Sequence, residues 1–230
     1  MQLTGSAPPV RGVVLDLHST LVNGGDPQTW LEAAWRELGR PGRAMDGLGA
    51  SAAEAVTFLD RIWEHARDVD PDSAGDLDPQ RHREVFDRTM ERLPGIDPAL
   101  ADALYRTMAA QWEPYNDAVP ILDALRTAGI RVVILSNVGF DLTPTLARTG
   151  LAERVDGVVM SFVVGVVKPA PEIFERALGL LGLTAPEVLM VGDSWPDDGG
   201  ATALGIRTLL LPRTEGPVRG LELVLRLVNA

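Results

Sequence analysis

The sequence predicts a doubly wound α/β protein with an α-helical bundle inserted after its first strand. Three observations carry that prediction. Short apolar runs each end in a small polar or acidic group: Val13-Val14-Leu15 in Asp16, Val132-Val133-Ile134-Leu135 in Ser136-Asn137, and Val188-Leu189-Met190-Val191 in Gly192-Asp193-Ser194. From Val119 onward helical and strand patterns alternate, which implies parallel pairing with helical crossovers. Between Pro27 and Trp112 the pattern is helical throughout. The first strand belongs to the later sheet, so the helical stretch is an insertion: a core of 1–21 and 117–230, and a cap of 22–116 lying over the crevice.

The elements follow in order. Trp30, Leu31, Ala34, Trp35 and Leu38 recur at helical spacing, as do Ala55, Val56, Leu59, Ile62, Trp63 and Ala66. Val85, Phe86 and Met90 form a third group, and Leu100, Leu104, Met108 and Trp112 a fourth. Asp26-Pro27, Asp78-Pro79 and Asp97-Pro98 each place an N-cap carboxylate before a proline, and Ser51 with Glu54 has the spacing of a capping box. Beyond the bundle, Pro120–Thr127 is expected as a helix stopped at Gly129, followed by a strand over Arg131–Leu135. A helix over Thr143–Arg148, a strand over Gly157–Met160, a helix over Pro171–Leu181 and a strand over Val188–Val191 come next. A short helix at Ala201–Leu204, a strand at Thr208–Leu211 and a last helix over Arg219–Val228 complete the alternation.

Composition narrows the function classes. With 230 residues, 46% hydrophobic and 23% charged, the chain suits one domain or a core with an insertion. A net charge of −11 argues against non-specific nucleic-acid binding, which needs a basic footprint. The absence of cysteine excludes disulfides, thiolate chemistry and zinc–sulfur sites. The N-terminus, Met1 to Gly12, has no apolar stretch of signal-peptide length, and the longest uncharged stretch, Gly157 to Val167, is too short to span a bilayer, so a cytoplasmic location is expected.

In an open parallel sheet the carboxyl ends of the strands converge on one crevice, where ligands bind. That places Asp16, Ser136, Asn137, Lys168 and Asp193 together. A nucleophilic carboxylate, a hydroxyl, an ammonium and further carboxylates are the ingredients of metal-assisted phosphoryl transfer. Several carboxylates against one lysine would repel each other unless a cation joined them.

The same segments resemble the haloacid dehalogenase superfamily of hydrolases, most of which are phosphatases. The likeness is densest from Val155 to Ile206: Asp156-Gly157, Ser161, Gly165, Lys168-Pro169, Pro171-Glu172-Ile173-Phe174, Gly192-Asp193-Ser194, Gly200-Ala201 and Gly205-Ile206. The insertion after the first motif resembles the family's helical caps. The resemblance implies that Asp16 is a nucleophile forming an aspartyl-phosphate. It implies that Ser136 and Asn137 bind the phosphoryl group and that Lys168 neutralises charge. Asp193 with Asp198 or Asp197, one Asp16 oxygen and the His18 carbonyl would then hold Mg²⁺. Asp197 keeps the family's distance to Gly200-Ala201 and Asp198 its commonest distance from Asp193; Asp198 is the expected ligand.

One position departs from the pattern. The family's phosphatases carry a second aspartate two residues after the nucleophile, where this chain has His18. An imidazole can serve as acid and base near neutral pH. Dehalogenases of the superfamily also lack that aspartate, so hydrolysis of a carbon–halogen bond through an Asp16 ester is the rival reading, and a non-catalytic binding protein a third. Dehalogenases need no Mg²⁺ and typically lose the acidic residues of the last motif, so Asp193, Asp197 and Asp198 favour phosphate. The expected partner is a small phosphorylated molecule selected by the cap, with neither nucleic acid nor membrane, on a monomer or homodimer. Arg61, His65, Arg67, Arg81, His82, Arg83 and Arg88 are the cap's basic candidates. Val22–Gly25 and Tyr115–Val119 are the expected hinges. Trp195-Pro196, Phe162 and Val163 are expected to pack rather than to line a wall.

Overall fold

A computed structural model describes residues 8–212, 214 and 216–228; the outermost ends of the expected core segments lie outside them. The strands are β1 (Gly12–Leu15), β2 (Val22–Asn23), β3 (Glu113–Pro114), β4 (Arg131–Ser136), β5 (Gly157–Met160), β6 (Val188–Gly192) and β7 (Arg207–Leu210). Five of them form one sheet in the order β5-β4-β1-β6-β7, with every pair parallel. β2 and β3 pair separately. The chain winds outward from β1 through β4 to β5, then returns to β6 and β7, so the winding reverses between β1 and β6. Leu15 lies opposite Ile134 on one side and Val191 on the other. The three central strands therefore end at one level, which brings the residues after them to the same edge.

The chain divides into two compact units. One holds the chain up to Asn23, Pro114–Asn137 and everything from Leu142 onward. The other holds Gly24–Glu113 and Val138–Asp141. In the first unit β1, β4 and β6 are almost wholly buried, as expected of parallel strands covered on both faces. The helix Pro171–Leu181 lays Ile173, Phe174, Ala177 and Leu181 against Val14, Val133, Leu135 and Met190. Each such fully buried large side chain contributes about 1.5–3 kcal/mol.

In the helical unit the Asp-Pro signals act as N-caps. The Asp26 carboxylate accepts from Thr29 N, that of Asp78 from Gln80 N and Arg81 N, and that of Asp97 from Ala99 N. The Ser51–Glu54 box does not form. Gly49, at φ 56°, turns the chain two residues earlier, and the helix runs Ala50–Asp60 with no side-chain cap. Arg61, outside helical geometry, separates it from the helix Ile62–Val69, so a stretch that looks continuous in sequence is two helices. Trp30, Leu31, Trp35, Leu59, Phe86, Met90, Leu100 and Leu104 form the core, and the Trp30 indole donates to Leu104 O at 3.0 Å.

Val138–Asp141 was expected with the core but groups with the helices because of its packing. A Cβ on Gly139 would lie 2.4 Å from Gly75 O and 2.5 Å from the His82 Cβ, so only glycine fits. Phe140 meets His82 edge-on at 5.1 Å and Trp112 at 5.7 Å.

Candidate active site

Asp16 follows β1 directly, and its N–H donates to Val191 O at 2.9 Å, extending the β1–β6 pairing by one residue. Its side chain is buried, and one oxygen accepts from Lys168 Nζ at 2.7 Å. The same ammonium donates to Asp198 Oδ1 at 2.6 Å and reaches Leu135 O at 3.4 Å. Lys168 is 3% exposed and Asp198 0%, so two carboxylates share one ammonium away from water. Burial opposes the Lys168 charge most strongly, yet Asp16 and Asp198 together outweigh it and hold the lysine pKa above its ordinary value. Burial raises the Asp16 pKa above the ordinary carboxylate range; Lys168 pulls it down, while Asp198 and Asp193 push it up.

Asp198 does more than pair with lysine. Its second oxygen accepts from Asp193 N and Ser194 N, both at 3.0 Å, and its own N–H donates to Ser194 O at 2.7 Å. Gly192 makes room for it, since a Cβ there would fall 2.0 Å from Asp198 Oδ2. Both Asp198 oxygens are therefore engaged in tying Lys168 to the Asp193 loop. Asp197 accepts from the Ser194 hydroxyl at 2.5 Å. Of the residues from this loop expected at the site, Asp193 is the carboxylate close enough to raise the Asp16 pKa alongside Asp198.

Asn137 likewise turns inward. Its Oδ1 accepts from Lys168 N at 2.7 Å and its Nδ2 donates to Lys168 O at 3.1 Å. The amide thus clamps the lysine main chain, a task the sequence pattern did not suggest. Ser136 is buried at the end of β4, with its hydroxyl 3.5 Å from Asn137 O, too far for a strong bond. His18 lies in the turn after Asp16, half-buried, with Nδ1 3.1 Å from the Ser19 hydroxyl. Ser19 takes a left-handed conformation, φ 63°, and its N–H closes the turn on Val22 O at 2.7 Å.

Among the described residues, no three His, Asp or Glu side chains form a ready-made metal cage. Trp195 and Val163 do not pack as expected: they are 67% and 64% exposed. Of the basic candidates in the helical unit, Arg61 pairs with Glu64 and Arg83 with Asp87 and Asp102. His65 stacks on Phe58 at 4.3 Å, and His82 is buried with Nδ1 3.0 Å from the Tyr105 hydroxyl.

Residues 10–205 match the family model of haloacid dehalogenase-like hydrolases. The chain is 32% identical to a phosphoserine phosphatase of Thermus thermophilus over 80% of its length, spanning 64% of that protein, less than two thirds. It is 31% identical to haloacid dehalogenase-like hydrolase domain-containing protein 3 of Danio rerio over 94% of its length and 90% of the relative's. The solved L-2-haloacid dehalogenase of Xanthobacter autotrophicus superposes with a TM-score of 0.67 at 25% identity, over 95% of this chain and 84% of that one.

Proposed function

The chain belongs to the haloacid dehalogenase-like hydrolase family, and we propose that within it the protein hydrolyses small phosphate monoesters through an aspartyl-phosphate on Asp16. The observation that carries this reading is the crowding of carboxylates around a single lysine at the strand ends. Asp16 and Asp198 share one buried ammonium, and Asp198 and Asp193 add to the burial that raises the Asp16 pKa. Charge arranged in this way invites a divalent cation, which a carbon–halogen hydrolase of this family does not need. Relatives named as phosphatases point the same way.

The donor set fits Mg²⁺, which takes hard oxygens and keeps several waters. Asp16, Asp193 and the His18 carbonyl would hold it, while Asp198 acts as counter-ion to Lys168 and brace of the Asp193 loop. Bound there, the ion supplies charge neutralisation at the phosphoryl group. The remaining work falls to the protein. An Asp16 oxygen attacks phosphorus and displaces the ester oxygen, and water later releases phosphate from the aspartyl ester. Lys168 offsets negative charge on the nucleophile and the phosphoryl oxygens. Ser136 donates its hydroxyl to a phosphoryl oxygen. His18, with Nδ1 against Ser19, gives a proton from Nε2 to the leaving oxygen and takes one from the attacking water.

Phosphate release from a panel of small phosphate esters, with Mg²⁺ and with EDTA, tests the reading beside Asp16→Asn and His18→Asp. Release that requires both Mg²⁺ and Asp16 is expected. Chloride release from 2-chloropropionate that is indifferent to EDTA would instead support the dehalogenase reading, which the 25% identity to the Xanthobacter enzyme favours.

A further inference from the structure

Arg219 is 4% exposed, and its guanidinium is spent on main-chain carbonyls. Nε donates to Ser19 O at 2.5 Å, Nη2 to Leu211 O at 3.1 Å, and Nη1 to Pro212 O. Its Cζ stands 5.9 Å from the Tyr115 ring centre. The arginine is itself tightly held. Asp117 accepts from Arg219 N at 2.9 Å and from Gly220 N and Leu221 N at 2.8 Å each. A planar fork with several donors is thereby fixed between the end of β7 and the turn that follows Asp16.

That turn is where the chain bears strain. Ser19 is one of two non-glycine residues at positive φ among those described, a conformation in which the side chain crowds its own carbonyl. The peptide after Ser19 is the one Arg219 grips, and the Ser19 hydroxyl is the group facing His18 Nδ1 at 3.1 Å. Holding the Ser19 carbonyl fixes the peptide plane of the residue whose hydroxyl meets the His18 ring. The reaction's main groups, Asp16 and Lys168, do not contact Arg219, so its influence runs through this turn.

We infer that Arg219 is a positioning residue: it holds Ser19 in its left-handed conformation and so places the His18 ring and carbonyl relative to Asp16. The inference goes beyond the proposed hydrolysis, and only its kinetic consequence rests on that reading. Lysine cannot replace the fork, because a single ammonium cannot reach Ser19, Leu211 and Pro212 together.

Two measurements on Arg219→Lys and Arg219→Gln test it. The first is amide hydrogen exchange, which needs no activity. The Ser19 and Leu21 amides, bonded to Val22 O and Leu17 O, should exchange about tenfold faster in Arg219→Lys, with the amides of Val14 and Val133 unchanged. Unchanged turn amides, or strand amides that accelerate in step with them, overturn the inference. If Arg219→Gln fails to fold, the lysine variant still decides.

The second compares p-nitrophenyl phosphate with an alkyl phosphate. A misplaced His18 hurts the poor alkoxide leaving group most, because that group needs the proton. In Arg219→Lys, kcat should fall about tenfold more for the alkyl ester than for the aryl ester, with KM little changed. An equal fall for both esters means a purely structural arginine and overturns the inference. A wild type that releases no phosphate would refute the proposed function and leave Arg219 to be decided by exchange.

Discussion

The two units of this chain treat charge in opposite ways. At the strand ends of the α/β unit, Lys168 meets Asp16 and Asp198 with side chains 3%, 9% and 0% exposed. In the helical unit Arg83 meets Asp87 and Asp102 with side chains 33%, 45% and 41% exposed, and Arg106 bonds Asp102 and Glu37 in the same half-exposed layer. Surface pairs gain little because water already solvates both partners. Buried charges are different: removing one leaves the other with neither water nor counter-ion. The contrast separates one buried cluster, whose partners depend on each other, from a half-exposed layer in which each pair contributes little.

The contrast should show first in Lys168→Ala. With both carboxylates left buried and unpaired, a loss of about 3–5 kcal/mol is expected together with loss of hydrolysis; urea denaturation gives the first number. A variant as stable as wild type would erase the distinction between the units. Asp198→Asn should rank next. Its amide cannot accept from Lys168 and from the Asp193 and Ser194 amides at once, so about 1–3 kcal/mol should be lost and turnover should collapse.

The helical unit has one buried titratable group of its own, and it sharpens the comparison. Burial lowers the His82 pKa to about 4 from 6.5, against the smaller pull of Asp70. The unfolded chain therefore binds the proton more readily between those values. Stability from this residue is complete above about pH 6.5 and falls as the pH drops, by about 3 kcal/mol at pH 4. Urea midpoints at pH 7.5 and pH 5 for wild type and His82→Gln should converge on acidification if His82 carries this dependence. The smallest effect is expected for Asp102→Asn. Although Asp102 bonds two arginines, its removal should cost less than about 1 kcal/mol by the same denaturation.

What was legible in the sequence was local. Asp26, Asp78 and Asp97 act as caps because a cap carboxylate needs only the next two or three residues. Apolar runs ending in Asp16, Ser136 and Asp193 were legible because parallel strands are buried on both faces and their ends share an edge. The Ser51–Glu54 box failed because a glycine turn nearby set the helix start instead. Nothing local distinguishes the Asn137 amide that clamps Lys168 from one that meets a ligand, or marks Arg219 as the grip on Ser19. Those roles arise from partners 31 and 200 residues apart.

The α/β class, the helical insertion, the family and the gathering of polar groups at the strand ends were therefore readable along the chain, because periodicity and strand-end chemistry act over short spans. Only the tertiary structure decided that Asp198 and Asn137 brace Lys168, that Val138–Asp141 joins the helices, and that Arg219 holds the turn beside Asp16. Hydrogen bonds and burial depend on which distant side chains finally meet, and no pattern along the chain encodes that meeting.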